Sequence, residues 1–361
     1  MKAAVLRGVG QPLRIEDVDV SDPIGHEVLV RVAAVGVCRS DLHHIEGLYP
    51  TDFPSVLGHE SAGVVEAVGD QVGYVRPGDH VISCLSVFCG HCESCVTGHL
   101  VNCERPQDVT RGPDEPPRLS QNGEEVHQFY HLSSFAEYML VHEHAIVKVR
   151  DDMPLDRAAL IGCGVTTGVG AVHNTARIEV GSTVAVIGLG GVGLAAVNGA
   201  ALSGAGRIIA IDTAGSKLNL ARQFGATDVI DASGIDPVEA VRKMTGGGVH
   251  YSFEAIGLKR TSEQAFEMLR PNGTAVVIGM VPVGQKLEID GESLQYEKTL
   301  TGSNMGSNRF RVDMPRYVDF YLAGKLHLDE MITQRIRLDR INEAFDAMKA
   351  GEVARSVIVF D

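Results

Sequence analysis

A short glycine-rich segment between an apolar run and a helix-like run constrains this fold most. Residues 184–187 are apolar and mostly β-branched, which is typical of a buried strand, and they lead directly into Gly188-Leu189-Gly190-Gly191-Val192-Gly193. In the pattern G-x-G-x-x-G, the first glycine allows a tight turn and the second lets a pyrophosphate approach backbone N–H groups. The third lets the following helix pack closely on the strand. The segment therefore predicts a dinucleotide-binding loop at a helix N-terminus.

The sequence around this loop alternates between strand-like and helix-like runs from about residue 152 onward. Such alternation predicts an α/β domain with a Rossmann-type, doubly wound parallel sheet. The next strand-like run, RIIAID, ends in Asp212, nineteen residues after Gly193. A carboxylate there binds the adenosine ribose hydroxyls and repels a 2′-phosphate, which favours NAD over NADP. Lys217 could reach the same ribose, or could equally be a solvated helix lysine.

Four of the seven cysteines lie within fifteen residues, with the spacing Cys-x2-Cys-x2-Cys-x7-Cys. Four thiolates from one loop suit a closed, structural zinc site. Iron–sulfur ferredoxins share the first part of this spacing, but they continue with a short gap and Cys-Pro. A zinc finger that reads DNA is disfavoured by the net charge of −14. The predicted ligands are Cys89, Cys92, Cys95 and Cys103, whereas Cys84 fits a small buried apolar residue better.

Composition excludes several classes of protein. The 361 residues suggest about two domains, and 32 Lys and Arg against 46 Asp and Glu argue against nucleic-acid or anionic-membrane partners. Residues 180–206 carry no charge, but their glycines follow the nucleotide-loop pattern rather than a membrane span. The first twenty residues lack the apolar core of a secretory signal, so we expect a cytoplasmic protein without structural disulfides.

Three further residues that suit a metal lie far apart in the chain. Cys38 stands in GVCRSDLHH, His59 in GHESAG and Cys163 in IGCGVTTG. Each is a weak signal alone, because a single cysteine or histidine is usually part of the core. Together they form a Cys2His set with a fourth position free, which is the composition of a catalytic zinc site in an alcohol dehydrogenase.

With these motifs the sequence resembles the zinc-dependent medium-chain alcohol dehydrogenases, and within them the class I and class III type. The resemblance runs from GVCRSDLHH and GHE through the cysteine cluster, IGCG and GLGGVG to the terminal GEVARSVIVF. It implies a mainly β, GroES-like catalytic domain built from residues 1–164 and 305–361 around an NAD-binding Rossmann domain at 165–304. It also implies a homodimer or homotetramer.

The resemblance implies two zinc ions per subunit. Cys38, His59 and Cys163 would hold the catalytic zinc, and the four clustered cysteines would hold the structural one. Glu60 would lie behind the catalytic metal, and Asp41 would orient His59 through a hydrogen bond.

The resemblance further implies a path for the proton of the alcohol. Ser40 would accept this proton and pass it through the nicotinamide ribose to His43 at the surface, although the adjacent His44 is an equal candidate by chemistry alone. The remaining implied cofactor contacts are Arg39 and Arg355 at the pyrophosphate, and Thr167 and Val192 beside the nicotinamide.

The implied reaction is the reversible oxidation of a primary alcohol to the aldehyde, with hydride transfer to NAD. The substrate pocket would contain Ser40, Tyr49, Leu85, Phe129 and Tyr130, which suits a medium-sized alcohol, aromatic and terpenoid alcohols included. One alternative is an S-(hydroxymethyl)glutathione (formaldehyde) dehydrogenase. Those enzymes carry an acidic residue where Tyr49 stands and a basic one near Gln107, for which Arg105 or Arg111 could substitute. A second alternative is a non-catalytic NAD-binding member of the fold.

Overall fold

The computed structural model describes residues 1–350 and 355–360, which form two compact units. Unit 1 comprises Met1–Cys163, Arg309–Gly324 and Leu328–Asp361, and unit 2 comprises Gly164–Asn308 and Lys325–His327. Residues 351–354 of the terminal GEVARSVIVF motif, and residue 361, lie outside the described residues.

Short strands predominate in the first 150 residues, and longer helices alternate with strands after residue 180. The strands are β1 (Lys2–Leu6), β2 (Arg14–Asp17), β3 (Asp19–Val20), β4 (Glu27–Gly36), β5 (Ser55–Val56), β6 (Glu60–Val68), β7 (His80–Ser83), β8 (Leu119–Gln121), β9 (Glu124–Glu125), β10 (His127–Gln128), β11 (Tyr138–His142), β12 (Ile146–Lys148), β13 (Thr183–Ile187), β14 (Arg207–Asp212), β15 (Asp228–Asp231), β16 (Val249–Glu254), β17 (Leu269–Val277), β18 (Thr299–Gly302), β19 (Gln334–Ile336) and β20 (Ser356–Val359). The α-helices are α1 (Arg39–Ile45), α2 (Glu93–Val96), α3 (Leu155–Leu160), α4 (Thr166–Gly170), α5 (Gly191–Leu202), α6 (Gly215–Gln223), α7 (Pro237–Thr245), α8 (Lys259–Glu267), α9 (Phe310–Leu322) and α10 (Ile341–Ala350).

Unit 2 is built on one sheet in the order β15-β14-β13-β16-β17-β18. Every pairing in it is parallel, and helices α5 to α8 connect the successive strands from β13 to β17. The chain moves outward from β13 to β15 and then returns to β16 on the other side of β13. That reversal is the point at which open α/β sheets bind ligands, at the carboxyl ends of their strands. The Rossmann-type part of the predicted fold class is confirmed.

Unit 1 is mainly β, and its largest sheet has the order β12-β7-β6-β4-β20-β19, with β11 also paired to β4. The long strand β4 pairs with β6 along one edge and with β11 and then β20 along the other. Because β20 comes from the far end of the chain, this pairing makes the unit discontinuous. Its core is dominated by Val, Leu, Ile and Ala, as expected for a chain with no Trp and 5% aromatic residues.

The domain ranges from the sequence remain a prediction, and the compact units differ from them at two boundaries and one short segment. Gly164 belongs to unit 2 rather than unit 1. Residues 305–308 belong to unit 2, since Thr167 lies 3.4 Å from the Met305 sulfur and Thr175 hydrogen-bonds Ser307. Lys325–His327 also belongs to unit 2, because the Asn198 side chain bonds the Lys325 carbonyl and the His327 N–H.

The proline-containing segment 104–131 suggests a long surface loop by its polarity, and the structure shows more order. The segment contains a short 3-10 helix, Pro106–Val109, and strands β8 to β10. Arg118 within it is buried, with its Nε donating to Glu27 at 2.7 Å. The polarity of the segment does not predict this buried ion pair, because Glu27 lies 91 residues away in the sequence.

One helical stretch among the described residues, Leu155–Ala176, is long and apolar enough to cross a membrane. Of its most apolar window, 83% is buried inside the protein, which is typical of a core helix. The uncharged run at 180–206 forms β13 and α5 instead.

Candidate active site and zinc centres

The structure brings together Cys38, His59 and Cys163, which lie far apart in the sequence. Cys38 follows β4 and immediately precedes α1, His59 immediately precedes β6, and Cys163 lies in the π-helical turn Ile161–Val165. The candidate ligand atoms of the three side chains all lie within 4.8 Å of one another, and all three residues are buried. A π-turn widens a helix locally, and such turns are frequent at functional sites.

The carboxylate of Asp41 orients His59. Its Oδ1 lies 3.1 Å from His59 Nδ1 and accepts the Gly58 N–H at 3.1 Å, and both side chains are fully buried. Although burial opposes it, the Asp41 carboxylate raises the pKa of His59 well above its ordinary value. His59 Nε2 has no hydrogen-bond partner among the described residues although it is buried. A buried nitrogen without a partner costs free energy unless a ligand satisfies it, so the donor set fits a zinc ion.

The two thiols of this set differ in their environment. A hydrogen bond with the Cys163 thiol, together with the nearby His59, lowers the pKa of Cys38 well below its ordinary value. The same hydrogen bond and burial raise the pKa of Cys163. The thiolate is the form that binds a metal, so the site already favours one deprotonated sulfur.

Glu60 and Arg355 form a buried ion pair beside this set. Arg355 Nη1 lies 3.0 Å from Glu60 Oε2, and the Arg355 side chain is 6% exposed while that of Glu60 is 0% exposed. Arg355 also donates to the Val37 carbonyl at 3.3 Å. The family resemblance implies that Arg355 and Arg39 contact the pyrophosphate. In the structure Arg355 pairs with Glu60 and Arg39 is exposed at the start of α1, and their contact with the pyrophosphate stays a prediction.

The two adjacent histidines of α1 are not equivalent. His44 is buried, with Nδ1 2.8 Å from Thr51 Oγ1 and Nε2 3.1 Å from the Tyr130 hydroxyl. His43 is half-buried, and its Nδ1 has no hydrogen-bond partner among the described residues. Ser40 lies one turn earlier, with Oγ 3.7 Å from the Cys38 sulfur. The role of His43 in delivering a proton to solvent stays a prediction.

Aromatic side chains surround His59. The centroids of the Phe129 and Tyr130 rings lie 5.8 and 6.0 Å from that of His59, at interplanar angles of 63° and 80°, and the Tyr49 ring lies 5.6 Å from the ring of His44. Of the predicted pocket residues, these three form one cluster, while half-buried Leu85 packs against the core of unit 1. Sequence reasoning missed Thr51, because no motif marks a single threonine seven residues after His44.

The four clustered cysteines also converge, with their sulfurs within 4.8 Å of one another. The Cys89 N–H points at the Cys103 sulfur at 3.3 Å and the Cys92 N–H at the Cys89 sulfur at 3.4 Å. A hydrogen bond from the Glu104 backbone lowers the pKa of Cys92 to about 6. Backbone donors aimed at sulfur favour thiolates, so this set fits a structural zinc. His91 and Asp108, 2.9 Å apart, also reach Cys89 but are exposed.

Cys84 lies outside both sets and is fully buried. Burial raises the pKa of its thiol to about 11, and its N–H donates to the Ala145 carbonyl. Cys84 is buried, as the sequence predicts, and its raised pKa favours the protonated thiol.

The glycine loop of unit 2 has the geometry that its pattern predicts. Gly188 has φ +88°, and a Cβ on Gly193 would lie 1.7 Å from the Gly188 carbonyl oxygen, so neither position tolerates a side chain. A Cβ on Gly190, in contrast, would meet open space at the N-terminus of α5. The uncapped N–H groups of α5 and this open space fit a pyrophosphate.

Asp212 lies at the carboxyl end of β14, next to the loop. Its Oδ2 accepts the Leu189 N–H at 2.8 Å, and its Oδ1 accepts the N–H groups of Thr213 and Ala214. Lys217 Nζ lies 3.9 Å from the same carboxylate. The carboxylate thus stabilises the loop and keeps a negative charge where the adenosine ribose is predicted. Thr167 is buried and Val192 half-buried, and their places beside the nicotinamide remain predictions.

Sequence comparisons match the two parts of the chain separately. The family described as alcohol dehydrogenase GroES-like domain matches residues 25–151, and the family described as zinc-binding dehydrogenase matches residues 191–322. The S-(hydroxymethyl)glutathione dehydrogenase of Photobacterium damsela subsp. piscicida is 42% identical over 99% of both chains. The class-3 alcohol dehydrogenase of Drosophila melanogaster is 40% identical over 99% of this chain and 97% of its own.

Solved structures also resemble the whole chain, among them the following two. An alcohol dehydrogenase zinc-binding domain protein from Burkholderia ambifaria has a TM-score of 0.96 at 38% identity, covering 100% of this chain and 98% of that one. The benzyl alcohol dehydrogenase from Acinetobacter calcoaceticus has a TM-score of 0.94 at 33% identity, covering 100% and 99%.

Proposed function

The chain belongs to the zinc-dependent medium-chain alcohol dehydrogenase family, and from this premise we propose that it oxidises S-(hydroxymethyl)glutathione with NAD. Membership confirms the fold class, GroES-like part included, and the prediction of an oxidoreductase that acts on CH–OH donors with zinc and NAD(H). The observation that supports catalysis is the buried set of Cys38, His59 and Cys163 with an unpartnered His59 Nε2. The substrate proposal rests on relatives of 40–42% identity that are named S-(hydroxymethyl)glutathione or class-3 alcohol dehydrogenases.

The residues of the chain hold the cofactors and handle the proton. When bound, zinc supplies a Lewis acid that favours the alkoxide, and NAD supplies the hydride acceptor. Asp41 fixes the His59 ring so that Nε2 faces the two thiols. The buried ion pair of Glu60 and Arg355 lies beside these ligands and contributes to the electrostatic field at the site. We assign Ser40 as the acceptor of the alcohol proton and His43 as the group that delivers it to solvent.

Aromatic primary alcohols are the second candidate substrates. Phe129, Tyr130 and Tyr49 form an aromatic cluster beside His59, which would bury a benzyl ring. Glutathione carboxylates instead call for a cation. Arg111, one of the two candidates from the sequence, is wrong for this role, because it is 7% exposed and pairs with Glu27 at 2.6 Å. Arg105 is exposed and remains the candidate.

We expect kcat/KM for S-(hydroxymethyl)glutathione to exceed that for benzyl alcohol by at least about tenfold, since charged and amide groups of the glutathione add about 1.4 kcal/mol of binding. Initial rates of NADH formation with both substrates test this. Arg105→Gln should lower the ratio of kcat/KM for S-(hydroxymethyl)glutathione to kcat/KM for benzyl alcohol. Arg76→Gln, at an arginine whose side chain is 84% exposed, is the matched control and should leave this ratio unchanged. A preference for benzyl alcohol would favour the second candidate. Binding of zinc and NAD without turnover of either substrate would favour a non-catalytic member of the fold.

We also propose that Asp212 selects NAD. Asp212→Asn keeps an oxygen that can accept the Leu189 N–H but removes the charge, so kcat/KM with NADP should rise about tenfold relative to NAD. Asp212→Gly should also weaken the preference for NAD over NADP, and it should destabilise the glycine loop because the Leu189 N–H loses its acceptor. Glu239→Gln, at an exposed position of α7, is the charge-matched control. An unchanged cofactor ratio in Asp212→Asn would contradict the assignment.

The oligomeric state, the compartment and the partners of the protein are also proposals. We propose a homodimer or homotetramer in the cytoplasm, acting on a small-molecule alcohol or aldehyde, as the family resemblance implies. The net charge of −14 makes nucleic acid an unfavourable partner. Light scattering on the purified protein measures the native mass.

A further inference from the structure

A hydrogen-bonded chain runs from the aromatic cluster to the surface of unit 1 and is not used by the proton path proposed above. It consists of the Tyr130 hydroxyl, the buried ring of His44 and the half-buried hydroxyl of Thr51. His44 is 6% exposed, whereas Tyr130 is 36% exposed. The ring of Phe129 lies 4.7 Å from the ring of His44 and 4.2 Å from that of Tyr130, so an apolar side chain packs against this polar chain.

The hydrogen bonds of His44 determine which way the Tyr130 hydroxyl points. The Pro50 carbonyl also hydrogen-bonds the His44 ring, and a carbonyl can only accept. Pro50 directly precedes Thr51, whose hydroxyl lies 2.8 Å from Nδ1, so we assign the hydrogen of the ring to Nδ1. Burial lowers the pKa of His44, so the ring is neutral and its other nitrogen, Nε2, is an acceptor. Tyr130 must then donate its only O–H to His44 Nε2, and its oxygen keeps lone pairs for another partner.

The backbone holds Tyr130 in an uncommon conformation. Tyr130, His131 and Ser133 have φ values of 50°, 60° and 62°, in the left-handed region that bulky residues avoid. Such a conformation persists only where the surroundings enforce it. Ser133 Oγ accepts the Phe129 N–H and donates to the Val56 carbonyl, which ties the segment to the strand before His59. Strain that fixes one side chain is typical of functional positions.

We propose that the Tyr130 oxygen accepts a hydrogen bond from a second N–H or O–H group of the substrate, beyond the reacting hydroxyl. His44 and Thr51 are then positioning residues that keep the tyrosine proton away from the substrate. The inference deepens the proposed function, on which it rests for the place of the substrate beside His59. The chemical class selected is an alcohol or hemithioacetal that carries an additional donor, such as an amide N–H or a phenolic O–H.

Hydroxybenzyl alcohols and their methoxybenzyl counterparts provide the test, because a methoxy group fills similar space but cannot donate. The 3- and 4-substituted pairs are compared as ratios of kcat/KM in the wild type and in Tyr130→Phe. We expect the best hydroxy-to-methoxy ratio to fall about tenfold in Tyr130→Phe, the usual effect of one lost hydrogen bond. Tyr296→Phe, at an exposed tyrosine of unit 2, should leave the ratio at the wild-type value. An unchanged ratio in Tyr130→Phe overturns the inference.

A second pair of variants tests whether His44 orients the Tyr130 hydroxyl or only supports the fold around it. His44→Leu removes the acceptor for the tyrosine proton and should lower the same ratio, while His44→Gln supplies an amide oxygen and should restore most of it. Thr51→Val replaces His44→Leu if the latter does not fold. Equal ratios in His44→Leu and His44→Gln would contradict the positioning role.

The failure of the proposed function is distinguishable from the failure of this inference. Dissociation constants of the same alcohols, measured by equilibrium titration, report the hydroxy preference even without turnover. Absent turnover of every alcohol and of S-(hydroxymethyl)glutathione would overturn the proposed function. An unchanged ratio of dissociation constants in Tyr130→Phe would overturn the role of Tyr130.

Discussion

Replacing Cys163 by alanine should lower kcat by at least about 10³-fold while NAD still binds. Cys163 is buried with its sulfur beside Cys38 and His59, and its removal leaves two ligands where a stable catalytic zinc site needs three. The Lewis acid contributes several kcal/mol to stabilising the developing charge, and each 1.4 kcal/mol is a factor of ten in rate. NAD binding depends on the glycine loop of unit 2, which this change does not alter. Steady-state rates and NADH fluorescence titration measure the two effects.

Cys84→Ala is the matched control for this variant. Cys84 is a buried cysteine in the same unit, and it belongs to neither thiol set. The substitution removes the same atom and creates a comparable small cavity, so a loss of about 1 kcal/mol of stability is expected without loss of turnover. Near-wild-type activity in Cys163→Ala, or an equal loss in Cys84→Ala, would refute the assignment of the catalytic ligands.

Replacing Cys95 by alanine should affect mainly stability. Cys89, Cys92 and Cys95 form the centre of a small cluster packed only by a few neighbours, among them Phe88 and Leu100. So few apolar contacts cannot hold a loop of fifteen residues without a metal. We expect at least about 3 kcal/mol of lost stability, which corresponds to about 6–12 °C in Tm for a unit of this size. Scanning calorimetry with and without added zinc measures this shift.

The two cysteine variants should differ in whether they lose turnover or thermal stability. Cys163→Ala should keep a Tm within a few degrees of wild type and lose turnover, whereas Cys95→Ala should lose Tm and keep part of the turnover at low temperature. Ser94→Ala, on the same helix α2 but outside the thiol set, controls for disturbance of the loop. If Cys95→Ala left the Tm unchanged, the four thiols would not be a structural metal site.

Unit 2 could be predicted well from the sequence because its signals are local. A buried strand, the glycine loop and a helix follow one another within 20 residues, and Gly193 is required because a Cβ there would lie 1.7 Å from the Gly188 carbonyl oxygen. The alternation of strands and helices then leaves few topologies for a parallel sheet. The four-cysteine site could be predicted for the same reason, since its ligands lie on one short loop.

Features that depend on distant partners could not be predicted. Arg111 looked available for an anionic substrate, but Glu27, 84 residues away, already binds it. The adjacent His43 and His44 are alike in sequence, and only the contact of His44 with Tyr130, 86 residues later, separates them. Cys38, His59 and Cys163 carry no common spacing, so their grouping rests on their ligand composition and on the family resemblance rather than on a local pattern.

We propose that the chain holds two independent zinc ions, only one of which is needed for turnover. Zinc per chain, measured by mass spectrometry on the wild type, Cys163→Ala and Cys95→Ala, tests it most directly. We predict two zinc ions in the wild type and one in each variant, with turnover lost only where Cys163 is replaced. Equal zinc content in all three proteins would contradict the claim.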